Sequence, residues 1–239
     1  MISTHLVTVQ WTQHPTTYYP HTRQLPTHKE KNEDERKMSP YPPTPPLEST
    51  PWINTLLADK TYTTTPMPSR IPKSSTEDNF FARTLNTPST IPACIMQYQR
   101  PGGSSPGSQS VTDGVKRIRL FVRLAENVTG YPGTLHGGVT ASLLDESMGL
   151  LLGVRGEVGP AGERAHDGSL AEVPVTAYLN TRFKRPIPVP GDVVINVWLR
   201  EGGEVGARKW VVEGDVRDQN DRVLAEGECL YVRIRAGRL

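Results

Sequence analysis

The chain has 239 residues, a formal net charge of +2, 36% hydrophobic residues and 22 prolines. That hydrophobic share falls below the ~45–50% usual in folded domains, a count that includes Gly, and so small a charge gives no footing for nucleic acid as a partner. The composition predicts a folded part diluted by an unstructured one, and it contains no run near the ~18 apolar residues of a membrane span.

Residues 1–75 read as a disordered Pro/Thr-rich leader, in which HKEKNEDERK, SPYPPTPPLESTP and TYTTTPMPSRIPK succeed one another. Such segments bury too little apolar surface to offset their ordering entropy. Within the leader, PWINTLLADK (51–60) has the makings of a short helix. The N-terminus lacks the continuous apolar core of a signal peptide. It starts acid-poor but holds few arginines, a weak mitochondrial targeting signal. Met38, between the charge run and the proline run, is a second candidate translation start. Cys94 and Cys229 lie far apart, without metal-ligand or redox spacing, which fits a reducing compartment and no disulfide framework. The expectation is a soluble intracellular protein, cytoplasmic or mitochondrial.

One domain is predicted over 76–239, with its core at 111–235. TEDNFFARTL (76–85) predicts a helix, with Thr76 as N-cap and Phe80, Phe81 and Leu85 at helical spacing. PGGSSPGSQS (101–110) is a loop. In GVKRIRLFVRLAE, Lys116, Arg117 and Arg119 interleave with Ile118, Leu120, Val122 and Leu124, the period of a half-buried strand. GTLHGGVTASLLDESMGLLLG (133–153) follows, with a helix over about 138–152 that is apolar nearly all round and must be covered on most of its surface. A polar Gly-rich loop (155–172) leads to strands at 173–186, 192–199, 207–218 and 223–235. Links of turn length make these antiparallel neighbours. The fold class is therefore α+β, a curved antiparallel sheet wrapped around one long central helix.

The central helix carries the candidate chemistry. His136 and Gly137 precede it, and the first N–H groups of a helix have no internal partners and carry positive partial charge. Glycines 137 and 138 let a ligand oxygen approach those groups without meeting a Cβ, a workable place for a carbonyl oxygen that becomes negative in a transition state. Two turns on, Ala141, Asp145, Met148 and Leu152 share one stripe, so Asp145 is on a packed face and too deep for N-capping. Glu146 lies about 100° further round. Two readings of Asp145 stand at this point: a buried acid paired with an arginine, or a catalytic carboxylate. His136 likewise reads as an ordinary turn histidine or as part of a site.

HGGVTASLLDESMG resembles the helix motif of hotdog-fold acyl-CoA thioesterases, in the branch of the phenylacetate-pathway and mammalian acyl-CoA enzymes. The likeness covers about 111–235, fades over 76–100, and includes a Pro-Gly-Asp turn at 190–192. The resemblance implies a hotdog fold and hydrolysis of an acyl-CoA to free acid and CoA, with no cofactor beyond the CoA of the substrate. It implies Asp145 as general base or nucleophile, the Gly137 amide as oxyanion site, His136 shaping the turn, and Thr176 orienting water. Many relatives carry Asn six residues before the histidine, where this chain has Gly130, with Tyr131 as a substitute. The site would lie between two subunits of a dimer or dimer of dimers. For the anionic end of CoA, Arg182 and Lys184 in NTRFKRP are the nearest cations, with Gly138 as a further contact.

The rival readings are fewer. GSSPG (103–107) fits G-x-S-x-G, but Ser105 lies in a loop rather than a strand–turn–helix elbow, and HGG follows it instead of preceding it. A hotdog hydratase would need His and acid motifs absent here. A hotdog domain that binds acyl-CoA or a lipid-like ligand without turnover is the alternative. No His or Cys cluster has metal-site spacing, so no metal is expected.

Overall fold

A computed structural model describes residues 44–101, 114–155, 174–204 and 208–234. The expectations for residues 1–43, including the choice between Met1 and Met38, and for nearly all of the two Gly-rich loops lie outside the described residues.

In chain order the elements are α1 (Pro51–Leu57), β1 (Tyr62–Thr65), β2 (Ala93–Gln99), β3 (Arg117–Leu124), a hairpin of β4 (Thr129–Tyr131) and β5 (Thr134–Leu135), α2 (Gly137–Val154), β6 (Pro174–Phe183), β7 (Gly191–Glu204), β8 (Lys209–Arg217) and β9 (Val223–Arg233). The main sheet runs β1-β2-β3-β7-β8-β9-β6 and is antiparallel at every pairing. α2 touches β3, β6, β7, β8 and β9. Five strands at ~4.8 Å spacing are wider than one helix, so the sheet curves around it. This is the expected hotdog architecture.

The packing explains why α2 is apolar on so much of its surface. Leu144, Met148, Leu151 and Leu152 are wholly buried against Ile195, Val197, Val212 and Ala225 of the sheet. Gly214 and Gly227 face each other across β8 and β9 and leave a dent for the helix. A Cβ on Gly227 would lie 2.5 Å from Met148 Cε and 3.3 Å from Leu144 Cδ1.

Three expectations need correction. The domain begins well before residue 76: α1, β1 and the turns at Leu47–Ser49 and Pro68–Arg70 are ordered parts of it. Composition misled because a few apolar residues suffice when a sheet face receives them. Leu47 and Ile53 pack on Phe121 and Val194, forming a second small core on the outer face of the sheet. As a result β3 is buried on both faces rather than one. Arg119 is only 6% exposed, donating to Gln97 Oε1 at 2.9 Å and to the Leu56 carbonyl at 2.6 Å, with its guanidinium 3.7 Å from the Tyr62 ring centroid. Finally, the helix expected over 76–85 shrinks to one wide turn, Phe80–Thr84, closed by Leu85 N–H on the Phe80 carbonyl at 2.8 Å. Asp78 sits at φ 57°, a left-handed conformation that stops a helix from running through from Thr76.

Candidate active site

The β4–β5 hairpin builds the approach to α2. Its turn, Tyr131-Pro132-Gly133-Thr134, has Gly133 at φ 69°, the position where a type II turn demands glycine. The segment after β6 holds the hairpin: Leu135 N–H donates to the Ile187 carbonyl at 2.9 Å and Val189 N–H to that of Gly133 at 3.0 Å. His136 then N-caps α2, with extended backbone (φ −63°, ψ 132°) and Nδ1 accepting the Gly138 N–H at 2.9 Å. The two glycine amides therefore differ. That of Gly138 is occupied by the histidine ring, whereas that of Gly137 has no hydrogen-bond partner among the described residues. The Phe183 ring lies over this spot, its Cζ 3.4 Å from where a Gly137 Cβ would be, while 59% of the residue stays exposed.

Asp145 is half-buried on the flank of α2 that faces β6 and β9. Thr176 Oγ1 donates to its Oδ1 at 2.8 Å, and the Cys229 thiol approaches the same oxygen at 4.0 Å. Tyr231 OH donates to the Asp145 main-chain carbonyl at 2.8 Å. Among the described residues no arginine or lysine pairs with this carboxyl. A register shift in β6 between Thr176 and Tyr178 makes the meeting with Thr176 possible. Leu179 packs in the core and Phe183 leans on α2, so strict alternation would send Thr176 to the outer face. The bulge returns it to the inner one.

Glu146, the neighbour of Asp145, points to the other side of the helix and is half-buried. Burial pushes its carboxyl up to about 7, the Asp78 and Asp145 carboxylates add to the rise, and the Ser69 hydroxyl and Lys73 oppose it. Cys229 is fully buried, and burial raises its thiol to about 11, so at neutral pH it is a donor rather than a thiolate.

The structure brings together Asp145 with Thr176, and His136 with Gly137 and Gly138. It does not bring Arg182 and Lys184 to them. Arg182 lines a groove on the outer face of the sheet beside Arg200 and Arg217, and Lys184 pairs with Glu226 at 3.0 Å. Gly130 abuts the cap: a Cβ there would be 3.1 Å from His136 Cα, so no room is left for a side chain without moving the turn. Tyr131 is 79% exposed. Sequence reasoning missed Cys229, Tyr231 and Phe183. The first two lie two apart on β9, and the period of that strand places them on one face. Among the described residues no three His, Cys, Asp or Glu side chains converge as metal ligands, and no helix is long and apolar enough to cross a membrane.

Residues 132–225 match the family model of the thioesterase superfamily, a segment that contains the cap, Asp145 and Thr176. The chain is similar to verlamelin biosynthesis protein B of Lecanicillium sp, 25% identical over 172 residues, covering 64% of this chain and 71% of that one. It is also similar to acyl-coenzyme A thioesterase THEM4 of Bos taurus, 32% identical over 120 residues, 50% of this chain and 42% of that one. The chain thus spans less than half the length of that thioesterase. Among solved structures it resembles a thioesterase superfamily protein at 28% identity (TM-score 0.41, 59% of this chain and 56% of that one). A hypothetical thioesterase from Streptococcus pneumoniae TIGR4 with coenzyme A is 15% identical (TM-score 0.41, 51% and 80%). Fold and motif define a hotdog domain, and residues 132–225 of the chain match the thioesterase superfamily.

Proposed function

We propose that this protein hydrolyses an acyl-CoA thioester to the free acid and CoA. The observation that carries the reading is the state of Asp145: a half-buried carboxylate held by a hydroxyl and a thiol, with no cation among the described residues to neutralise it. A carboxylate so placed is free to act on water. Water attacks the thioester carbonyl carbon as its proton passes to Asp145. The oxygen becomes an oxyanion held by the Gly137 N–H and the positive end of α2. Its collapse breaks the C–S bond, and the CoA thiolate, a good leaving group, takes a proton from Asp145 or solvent. Attack by Asp145 itself, through an anhydride then opened by water, uses the same groups. His136 keeps the helix end in shape, and the reaction needs no cofactor beyond the CoA of the substrate.

Gly137 and Asp145 are eight residues apart on one helix, roughly 12 Å at ~1.5 Å per residue. One carbonyl cannot touch both within a protomer. A second copy supplies the missing half if the helices lie antiparallel, and β6 offers the means. It ends the sheet, pairs only with β9 among the described residues, and its open edge can pair with another β6. Each site would then join the Gly137 amide of one protomer to Asp145 of the partner subunit.

Thiol release from a panel of acyl-CoAs tests the proposal. Asp145→Ala should abolish turnover with the fold retained. Gly137→Pro deletes one N–H at a position where proline is tolerated, and the extended His136 backbone suits a following proline. It should lower kcat by about 100-fold or more. Two inactive variants mixed as heterodimers should regain activity, since one of the two shared sites is then intact. Binding of acyl-CoA without release at any chain length would overturn hydrolysis in favour of a binding domain.

A further inference from the structure

Asp145 has three neighbours that address it, and of these only Thr176 was named from the sequence, as a residue orienting water. Thr176 from β6 donates to Oδ1 at 2.8 Å, and the Cys229 sulfur from β9 lies 4.0 Å from the same oxygen, the outer limit for a thiol donor, with Thr176 and Tyr231 also within its reach. Oδ2 has no partner among the described residues. The main chain is tied down as well. Tyr231, 4% exposed, donates to the Asp145 carbonyl at 2.8 Å. A carboxylate on a helix can rotate about two side-chain bonds. Donors that converge on one oxygen from two strands fix the plane of the carboxylate, and with it the direction of the other oxygen.

We propose that Cys229 is a positioning residue of the hydrolytic site: its buried S–H, together with the Thr176 hydroxyl, anchors Asp145 Oδ1 so that Oδ2 is the oxygen presented to water and thioester. This rests on the hydrolytic reading of Asp145. Cys229 touches no substrate and acts only through the aspartate. Its wholly buried sulfur, with the thiol kept protonated by burial, excludes the alternative of a cysteine nucleophile at neutral pH, because the thiolate is the reactive form. The thiol is a weak donor, so its contribution to rate is expected at the low end of that of a hydrogen bond.

The test sets two substitutions against each other. Ser keeps a donor but places a polar group in an apolar strand face, whereas Ala keeps the face apolar and loses the donor. If Cys229 only packs, Cys229→Ala should be the better variant in both stability and turnover. If it positions Asp145, the orders should part. Cys229→Ser should be the less stable protein yet retain more kcat, while Cys229→Ala loses roughly 3- to 10-fold in kcat with KM little changed. A second readout needs no turnover. The infrared S–H stretch of Cys229, assigned by difference against Cys229→Val, should shift when Asp145 is replaced by Asn. An unchanged stretch would overturn the contact whatever the activity. A shifted stretch in a protein that releases no thiol would instead leave the contact standing and sink the hydrolytic reading.

Discussion

Glu146 gives the sharpest quantitative test of the packing around the central helix. Its carboxyl is lifted from the ordinary 4.5 to about 7, first by burial and further by the Asp78 and Asp145 carboxylates, against the pull of the Ser69 hydroxyl and, more weakly, of Lys73. Because the folded value lies above the unfolded one, the stability that Glu146 contributes as a neutral acid is fully present below about pH 4.5. It is lost as pH rises through about 7. The rise corresponds to about 3 kcal/mol between the two limits, an upper bound because the residue keeps some contact with water. Glu146→Gln retains the shape of the neutral acid and cannot ionise. The variant should therefore match the wild type in urea unfolding at pH 4.5 and exceed it by about 2–3 kcal/mol at pH 8.5. In thermal unfolding that advantage is on the order of 5–10 °C. The difference should grow between those pH values and then level off. A difference that stays flat with pH would refute the reasoning. A variant less stable than wild type at pH 8.5 would mean that the carboxylate has an ionic partner.

Two further substitutions probe the frame that holds the site. Arg123 pairs with Asp192 through two bonds of 2.8 Å and also grips Thr50 and the Pro45 carbonyl, so it fastens the segment before α1 to the sheet. Arg123→Ala leaves a half-buried carboxylate behind and should cost about 3 kcal/mol, with proteolysis of residues 44–60 accelerated before the rest of the domain yields. Gly227→Val forces a side chain into the dent occupied by Met148 and Leu144 and should cost about 1–3 kcal/mol in urea unfolding. A neutral result would mean that the helix can lift off β9 at little expense.

What the sequence disclosed depends on how locally each feature is written. The central helix was legible because eighteen residues with one polar stripe cannot be mistaken for strands, and the observed Gly137–Val154 differs from the expected span by two residues or fewer at either end. The four strands after it were legible for the same reason, each carrying its own alternation and bounded by Gly, Pro or Asp. β1 and β2 were not. YTTT and ACIMQYQ lack a clean period, and the pairings of β1 with β2 and of β2 with β3 join residues tens of positions apart, a cooperative gain that no local window contains. The leader failed in a similar way. Leu47 and Ile53 look too sparse to fold anything, and they do not fold by themselves; they complete a face that Phe121 and Val194 had already built.

The site divides along the same line. The His-Gly-Gly cap is short-range, so its residues could be named before any coordinates, although which glycine amide stays open depends on the direction the His136 ring takes. Asp145 was suspect because an acid on a packed helix face is costly unless something receives it. What receives it could not be read. Thr176 reaches Oδ1 only because β6 slips register at Ala177, and a bulge leaves no mark in composition or period. Arg182 and Lys184 are close to Thr176 in sequence, yet alternation carries them to the face that α2 never sees. Paired and solvated charges also spell alike. Arg119 reads as the wet side of a strand, yet it and Arg123 are both enclosed by a segment that the composition had set aside. The physical reason is common to all of these cases. A residue's type fixes what it can donate, accept or bury, but the identity of its partner is a property of the sheet, settled only when distant strands come into register.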